Sequence, residues 1–260
     1  MDNVNNSNKD KVAKQFSRAA SQYDQHADVQ ADIARVARHY MQPLSGSLLD
    51  IGCGSGRETQ ALLNHSHHVI AIDIAQGMID FAQSQYPTDK IRWLVGDAEA
   101  LPLSASSVDS VFSSMALQWC ESSSTAMEEI YRVLAPGGKG VVAVMTHRSF
   151  HELELVWRKV DTHKHVNDFA TAEHWLCAAG QAGLLATADS RSFITYHKNV
   201  RSLLQSIKKI GANVKTGAGA ATLSKTKLLQ LEEAYQTVFR NKKGLPLTYH
   251  VTFLSLHKPG

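Results

Sequence analysis

Features that are scarce in this 260-residue chain already narrow the kind of protein it can be. Its three cysteines are widely spaced and odd in number, which excludes a disulfide framework and predicts reduced thiols. No apolar run approaches the roughly 20 residues that a membrane helix needs, and the polar first ten residues do not resemble a secretion signal. The formal net charge is only +3, which does not indicate a nucleic-acid binder. The sequence therefore predicts a cytoplasmic protein whose partners include neither a membrane nor a nucleic acid.

The composition suits one globular domain, since 43% of the residues are hydrophobic and can bury one sizeable core. The thirteen histidines show no metal-ligand spacing, so no metal is predicted. We expect a disordered leader over residues 1–10 and a single domain over residues 11–260. Residues 11–42 are predicted to form N-terminal helices, and residues 197–243 a helical insertion. That insertion is either a lid, a partner surface or a purely structural extension.

The chain is organised around residues 48–56, which read as an apolar strand running into a glycine-rich turn. Gly52, Gly54 and Gly56 alternate along this turn and allow the backbone to approach a ligand closely. A helix is expected directly afterwards, so its free amide groups would face that ligand. The dinucleotide fingerprint has a different spacing, Gly-x-Gly-x-x-Gly, and binds a pyrophosphate that the preceding Asp50 would repel. An acid at this position suits a ligand with an ammonium group, such as S-adenosylmethionine, although a tight turn without a ligand is the alternative.

The spacing Asp-x-Gly-x-Gly-x-Gly resembles motif I of the class I S-adenosylmethionine-dependent methyltransferases. The resemblance implies an α/β, Rossmann-like fold built on a seven-stranded, mostly parallel sheet. Its last strand would be antiparallel, with N-terminal helices before the sheet and a helical insertion before the last strand. S-adenosylmethionine would be the co-substrate.

Further candidates for binding this co-substrate follow the next three predicted strands. Asp73 ends the strand at residues 68–73 and suits the ribose hydroxyls. Asp97, beside Ala98, follows the strand at residues 91–95 and suits the adenine amino group. Met78 is expected on the adenine face, or else is an ordinary packing methionine. Ser113 lies near the end of the fourth strand, at residues 108–114, where ligands bind in parallel sheets.

Several other segments narrow the resemblance to one family, the malonyl-acyl-carrier-protein O-methyltransferases of biotin synthesis. They are Phe-x-x-Ala-Ala-x-x-Tyr at 16–23, Leu-Gln-Trp-Cys at 117–120, Ile-Gly-Ala at 210–212 and Leu-Thr-Tyr-His at 247–250. One departure is the region 213–221, which is unusually rich in small residues. The resemblance implies methyl transfer to the free carboxylate of malonyl-acyl-carrier protein, or of malonyl-coenzyme A. A carboxylate is already ionised at neutral pH, which agrees with the absence of a Ser-His-Asp or Cys-His constellation.

Two other functions stay open from the sequence. A methyltransferase for a quinone precursor or a short carboxylic acid would share the donor site. A regulatory protein could bind the donor without turnover.

Two groups of residues are predicted to recognise the acceptor. The first would grip the malonyl end and comprises Tyr23, Gln118, Trp119 and His147. The second is a basic cluster that would dock the acidic carrier protein, or that is simply a solvated face; it comprises Lys198, Arg201, Lys208 and Lys209.

Overall fold

The computed structural model of the protein describes residues 8–25, 27–42, 46–209, 224–239 and 241–260. Within these ranges, helices and strands alternate through most of the chain. The helices are α1 (Asn8–Tyr23), α2 (Asp28–His39), α3 (Arg57–Leu62), α4 (Gln76–Gln85), α5 (Ser123–Val133), α6 (His151–Val160), α7 (Ala172–Gln181), α8 (Val200–Lys209) and α9 (Lys225–Phe239). The strands are β1 (Ser47–Ile51), β2 (His68–Asp73), β3 (Ile91–Val95), β4 (Val108–Ser114), β5 (Leu134–Met145), β6 (Leu185–His197) and β7 (Leu245–His257).

The strands form one sheet in the order β3-β2-β1-β4-β5-β7-β6. Strand β7 is antiparallel to both β5 and β6, and the pairings among β1 to β5 are all parallel. This arrangement confirms the predicted fold class. The strand order reverses between β1 and β4, and the crevice at the carboxyl ends of the strands on either side of such a reversal is where α/β sheets bind ligands.

The sheet is covered by helices on both faces, which explains why its central strands are apolar throughout. In β1, Leu48 packs into one core layer and Leu49 into the other, as the alternation of a strand requires. The first layer receives buried side chains from α2, α6, α8 and α9, and the second receives them from α5 and α7. Among the described helices, none is long and apolar enough to cross a lipid bilayer.

The structure differs from the sequence-based expectations at the start of the first helix and in one added element. Helix α1 begins at Asn8, so residues 8–10, expected in a disordered leader, are helical. Strand β5 begins as early as Leu134, because the glycines at 137 and 138 pair with the backbone of Lys258 beyond β7. A short 3-10 helix, Leu117–Trp119, was not predicted. Residues 1–7 of the expected leader and the small-residue region 213–221 lie outside the described residues.

Candidate functional site

Two adjoining cavities lie at the carboxyl ends of β1, β2 and β4. The first extends from the glycine turn toward β3 and α1, and the second extends from the same turn toward α2 and α3. Both are lined by Tyr23, Gly52, Gly54, Ser114 and Met115. The cavities therefore meet where β1 and β4 diverge.

The glycine turn is held in left-handed conformations that favour glycine. Gly52, Gly54 and Gly56 have φ angles of 75°, 53° and 83°. A Cβ at Gly52 would lie 2.1 Å from the Cβ of Ala116, whereas a Cβ at Gly54 would meet no atom of the described part of the chain within 4 Å. The backbone at Gly54 is thus open to the cavity. Gly56 lines neither cavity, and a Cβ there would lie 2.7 Å from the ring of Trp93, so this glycine serves packing at the start of α3.

Asp73 ties the end of β2 to this turn. One carboxylate oxygen accepts a hydrogen bond from the backbone N–H of Gly54 at 2.9 Å, and the other accepts from Ala75 at 2.8 Å. Burial raises the pKa of Asp73, and these two backbone hydrogen bonds oppose the rise. A carboxylate has about four acceptor positions. Since Asp73 lines the first cavity, the remaining positions are available to hydroxyl groups of a ligand.

Asp50 lies deeper, at the end of β1, and lines only the second of the two cavities. Its side chain accepts a hydrogen bond from the Thr59 hydroxyl at 2.6 Å. Burial raises the pKa of Asp50 to about 7, the Thr59 bond opposes this, and the charge of Asp73 adds to it. The charge beneath the glycine turn consequently changes near neutral pH.

A lysine that the sequence analysis placed in the leader occupies the far end of the first cavity. The Nζ of Lys9 lies 2.6 Å from an Asp97 carboxylate oxygen and 2.7 Å from one of Glu99. Burial opposes the charge on Lys9, but its hydrogen bonds to Asp97 and Glu99 raise its pKa above the usual value. Asp97, predicted for the adenine amino group, therefore already has a cationic partner. An adenine bound here would share the Asp97 carboxylate with Lys9 of α1.

The remaining predicted donor-site residues divide between cavity and core. Met78 and Ala98 line the first cavity, and Met78 is fully buried against Ala20. Ser113 lines neither cavity, because its hydroxyl donates to the backbone oxygen of Ile51 at 2.8 Å. The next residue, Ser114, points to the opposite face of β4 and lines both cavities. Its hydroxyl oxygen is buried without a hydrogen-bond partner among the described residues.

Two of the four predicted acceptor residues line the first cavity and two do not. Tyr23 and Trp119 line the first cavity. Gln118 lines neither cavity, and its side-chain amide donates to the backbone oxygen of Met115, just before the 3-10 turn, at 2.7 Å. His147 is exposed on the loop after β5 and lies outside both cavities. Met115 has a φ of 58°, and such strained non-glycine backbone is enriched at functional sites.

Aromatic rings continue from the first cavity across the carboxyl ends of β4 and β5. Consecutive centroids along this series are 4.9–6.5 Å apart. Most of the contacts are edge-on, the geometry that aromatic pairs prefer. We call this series the aromatic belt; in order of contact it comprises Tyr23, Phe16, Trp119, Phe169, Phe150 and Tyr249.

The predicted basic cluster is centred on α8, which is amphipathic. Val200, Leu203 and Ile207 are buried, whereas Arg201 and Lys208 are exposed on the other side of the helix, and Lys198 is exposed just before it. In the described part of the chain, none of these three cations forms an ion pair. The side chain of Lys209 lies outside the described residues.

Comparison with known proteins agrees with this architecture. Residues 49–142 match the model of a methyltransferase domain family. A malonyl-[acyl-carrier protein] O-methyltransferase from Yersinia pestis is 35% identical over 95% of this chain and 91% of its own length. The biotin biosynthesis bifunctional protein BioHC from Cellvibrio japonicus is 38% identical over 96% of this chain, which spans only 50% of that relative. The crystal structure of the YcgJ protein from Bacillus subtilis, 16% identical, covers 88% of this chain and 99% of its own with a TM-score of 0.62.

Proposed function

The chain belongs to the family of malonyl-[acyl-carrier protein] O-methyltransferases, and from this premise we propose its substrates and the parts of the site that bind them. The proposed reaction moves the methyl group of S-adenosylmethionine to the free carboxylate of a malonyl group on an acyl carrier protein. The observation that carries it is the position of the aromatic belt, which starts in the cavity beside Asp73 and the glycine turn. A donor site and an uncharged acceptor site thus share the end of β4.

The first cavity is the proposed site of the nucleoside. Asp73 would accept hydrogen bonds from the ribose hydroxyls, and Met78 would pack against the adenine. The open backbone at Gly54 would lie under the donor, because no atom of the described residues lies within 4 Å of a Cβ placed there. The amino-acid end of the donor would extend into the second cavity, where Asp50 supplies negative charge for an ammonium group.

The proposed reaction depends on the orientation of the two reacting groups more than on proton transfer. The acceptor carboxylate is ionised at neutral pH, so no general base is required. Its oxygen forms a bond to the methyl carbon while the carbon–sulfur bond breaks, and the bonding pair leaves on sulfur. A positive sulfonium and a negative carboxylate both become neutral. A water-poor, aromatic surrounding favours this loss of charge and holds the reacting atoms in line.

The carrier protein is the proposed partner of α8. Acyl carrier proteins are acidic, and Lys198, Arg201 and Lys208 are exposed without ion pairs to other described residues. Such a face would raise the rate of encounter with an acidic partner. We further propose that the reaction belongs to the synthesis of biotin, as the name of the Cellvibrio japonicus relative suggests, and that it takes place in the cytoplasm.

Turnover assays with a labelled methyl donor test the proposal. The purified chain should methylate malonyl-acyl-carrier protein and, less efficiently, malonyl-coenzyme A. The product must be sensitive to an esterase, which identifies a carboxyl ester. Faster methylation of a quinone precursor would replace the proposal with a different small-molecule methyltransferase. Donor binding without any transfer would favour a regulatory protein.

A further inference from the structure

Resting on the proposed function, we propose that Tyr249 binds the substrate carboxylate. In this proposal the hydroxyls of Tyr249 and Tyr23, the two end members of the aromatic belt, both donate hydrogen bonds to the malonyl group. They hold one carboxylate oxygen toward the methyl carbon of the donor. Tyr249 would therefore touch the reacting group although it lies on β7, far from the donor motifs in sequence.

The hydroxyl of Tyr249 has no hydrogen-bond partner among the described residues, and its oxygen keeps a small accessible surface although the residue is only 2% exposed. Buried tyrosine hydroxyls ordinarily find a partner. Tyr235, which is fully buried in the same core layer, does so by donating to the backbone oxygen of Pro246. The half-buried Tyr40 donates to Asp189. The unused donor of Tyr249 is thus available to a ligand.

Tyr249 lines neither of the two cavities itself, and two further observations connect it with the first. Its ring packs edge-on against Phe150 at 4.9 Å, in the belt that leads through Phe169 and Trp119 to the first cavity. Tyr23 packs against the core layer in which Tyr249 is buried, and burial together with the charge of Tyr23 raises the pKa of Tyr249. Burial also raises the pKa of Tyr23, with a contribution from Asp73. Both hydroxyls therefore stay protonated, and both remain donors, at neutral pH.

A pair of neutral donors suits this reaction better than an ion pair would. A cation bound to the carboxylate would stabilise the negative charge that disappears in the transition state. Hydrogen bonds from two hydroxyls stabilise that charge less than a full cation would, and they still orient the carboxylate. They are about twice as strong to an ionised acceptor as to a neutral one. The ester product, which is neutral, would be held less tightly. Tyr249 would thereby favour substrate over product.

Substitution of Tyr249 by Phe tests this role, with Tyr235→Phe as the matched control. Tyr249→Phe should raise the KM for malonyl-acyl-carrier protein about 10-fold to 100-fold, the usual effect of losing one hydrogen bond to a charged group. Donor affinity, measured by calorimetry, should stay within about 2-fold of wild type. Tyr235→Phe should lower the melting temperature without changing the KM.

A second measurement separates substrate binding from a structural effect. Wild-type protein should bind the malonyl thioester more tightly than its methyl ester, and Tyr249→Phe should lose that preference. An unchanged KM and an unchanged preference in Tyr249→Phe would overturn the inference while leaving the proposed function intact. Parallel losses of melting temperature and donor affinity would overturn it in favour of a packing role. If wild-type protein fails to methylate any malonyl thioester, the proposed function and this inference both fall.

Discussion

The backbone N–H of Gly54 donates to the side chain of Asp73 at 2.9 Å, so the acid at the end of β2 also holds the glycine turn after β1 in place. One carboxylate thus links the proposed ribose contact to the backbone beneath the donor. Loss of Asp73 should disturb both at once, and the two effects act in the same direction on donor affinity.

Asp73→Ala should weaken donor binding by at least the 1.5–3 kcal/mol or so that a hydrogen bond to a charged group contributes. Calorimetric titration with S-adenosylmethionine measures this loss. Asp80→Ala, an exposed acid on α4, is the matched control and should bind the donor normally. Undiminished affinity for S-adenosylmethionine in a folded Asp73→Ala protein would show that Asp73 does not bind the donor.

Alanine substitutions at two glycines of the turn should have different consequences. Gly54→Ala costs roughly 1–2 kcal/mol for a left-handed residue, and its Cβ enters the open space above the turn. Donor affinity should fall sharply while the protein stays folded. Gly52→Ala places a Cβ 2.1 Å from that of Ala116 and should mainly lower the melting temperature. Normal donor binding by Gly54→Ala would mean that the donor does not cross this turn.

The buried acid Asp50 predicts a pH dependence of folding stability. Its pKa rises from an ordinary value of 3.8 to about 7 in the folded protein, mainly through burial. Between these two pH values the folded state holds a proton that the unfolded state has released, so stability should fall as the pH rises from 4 to 7. Each pKa unit of difference corresponds to about 1.4 kcal/mol.

Asp50→Asn removes this titration and can still accept the Thr59 hydrogen bond. Urea unfolding at several pH values should therefore give a flatter stability profile for the variant than for wild type. Identical slopes in the two proteins would show that Asp50 titrates normally.

The exposed cations of α8 predict an effect specific to the carrier protein. Arg201→Glu combined with Lys208→Glu should raise the KM for malonyl-acyl-carrier protein, most strongly at low salt, because screening weakens steering. Turnover of malonyl-coenzyme A should change little. Lys90→Glu with Arg92→Glu, at the amino end of β3 and away from the cavities, is the matched control. An equal effect of both double variants would place the docking face elsewhere.

The fold was predictable from local pattern because apolar strands, turns and amphipathic helices each have a characteristic spacing. The positions of Asp73, Gly54 and Met78 at the first cavity could be predicted for the same reason, since each residue stands at a fixed distance in sequence from the end of a strand. Ser113 was predicted as a site residue, but its neighbour Ser114 lines the cavities instead. Successive side chains of a strand point to opposite faces of the sheet, and the sequence does not show which of the two faces the site. Gln118 hydrogen-bonds to the nearby Met115 backbone instead of lining the cavity. Its orientation follows from a 3-10 turn that the sequence did not indicate.

Other parts of the site depend on contacts between segments that are distant in sequence. Lys9 was missed because a polar N-terminal stretch gave no indication of an ion pair with Asp97, which lies 88 residues away in the chain. Tyr249 belonged to a recognised segment, but nothing in the sequence shows that its hydroxyl lacks a partner.

The long separation of these contacts has a consequence for the order in which a newly made chain becomes active. Helix α1 emerges from the ribosome early, yet Lys9 finds its acidic partners only after β3 has been synthesised. The aromatic belt closes later still, because Tyr249 lies on the last strand to be made. Contacts of such high sequence separation form slowly, since the intervening loop must first be closed. A nascent chain can therefore build most of the first cavity, the proposed donor site, well before the aromatic belt, the proposed acceptor site, is complete.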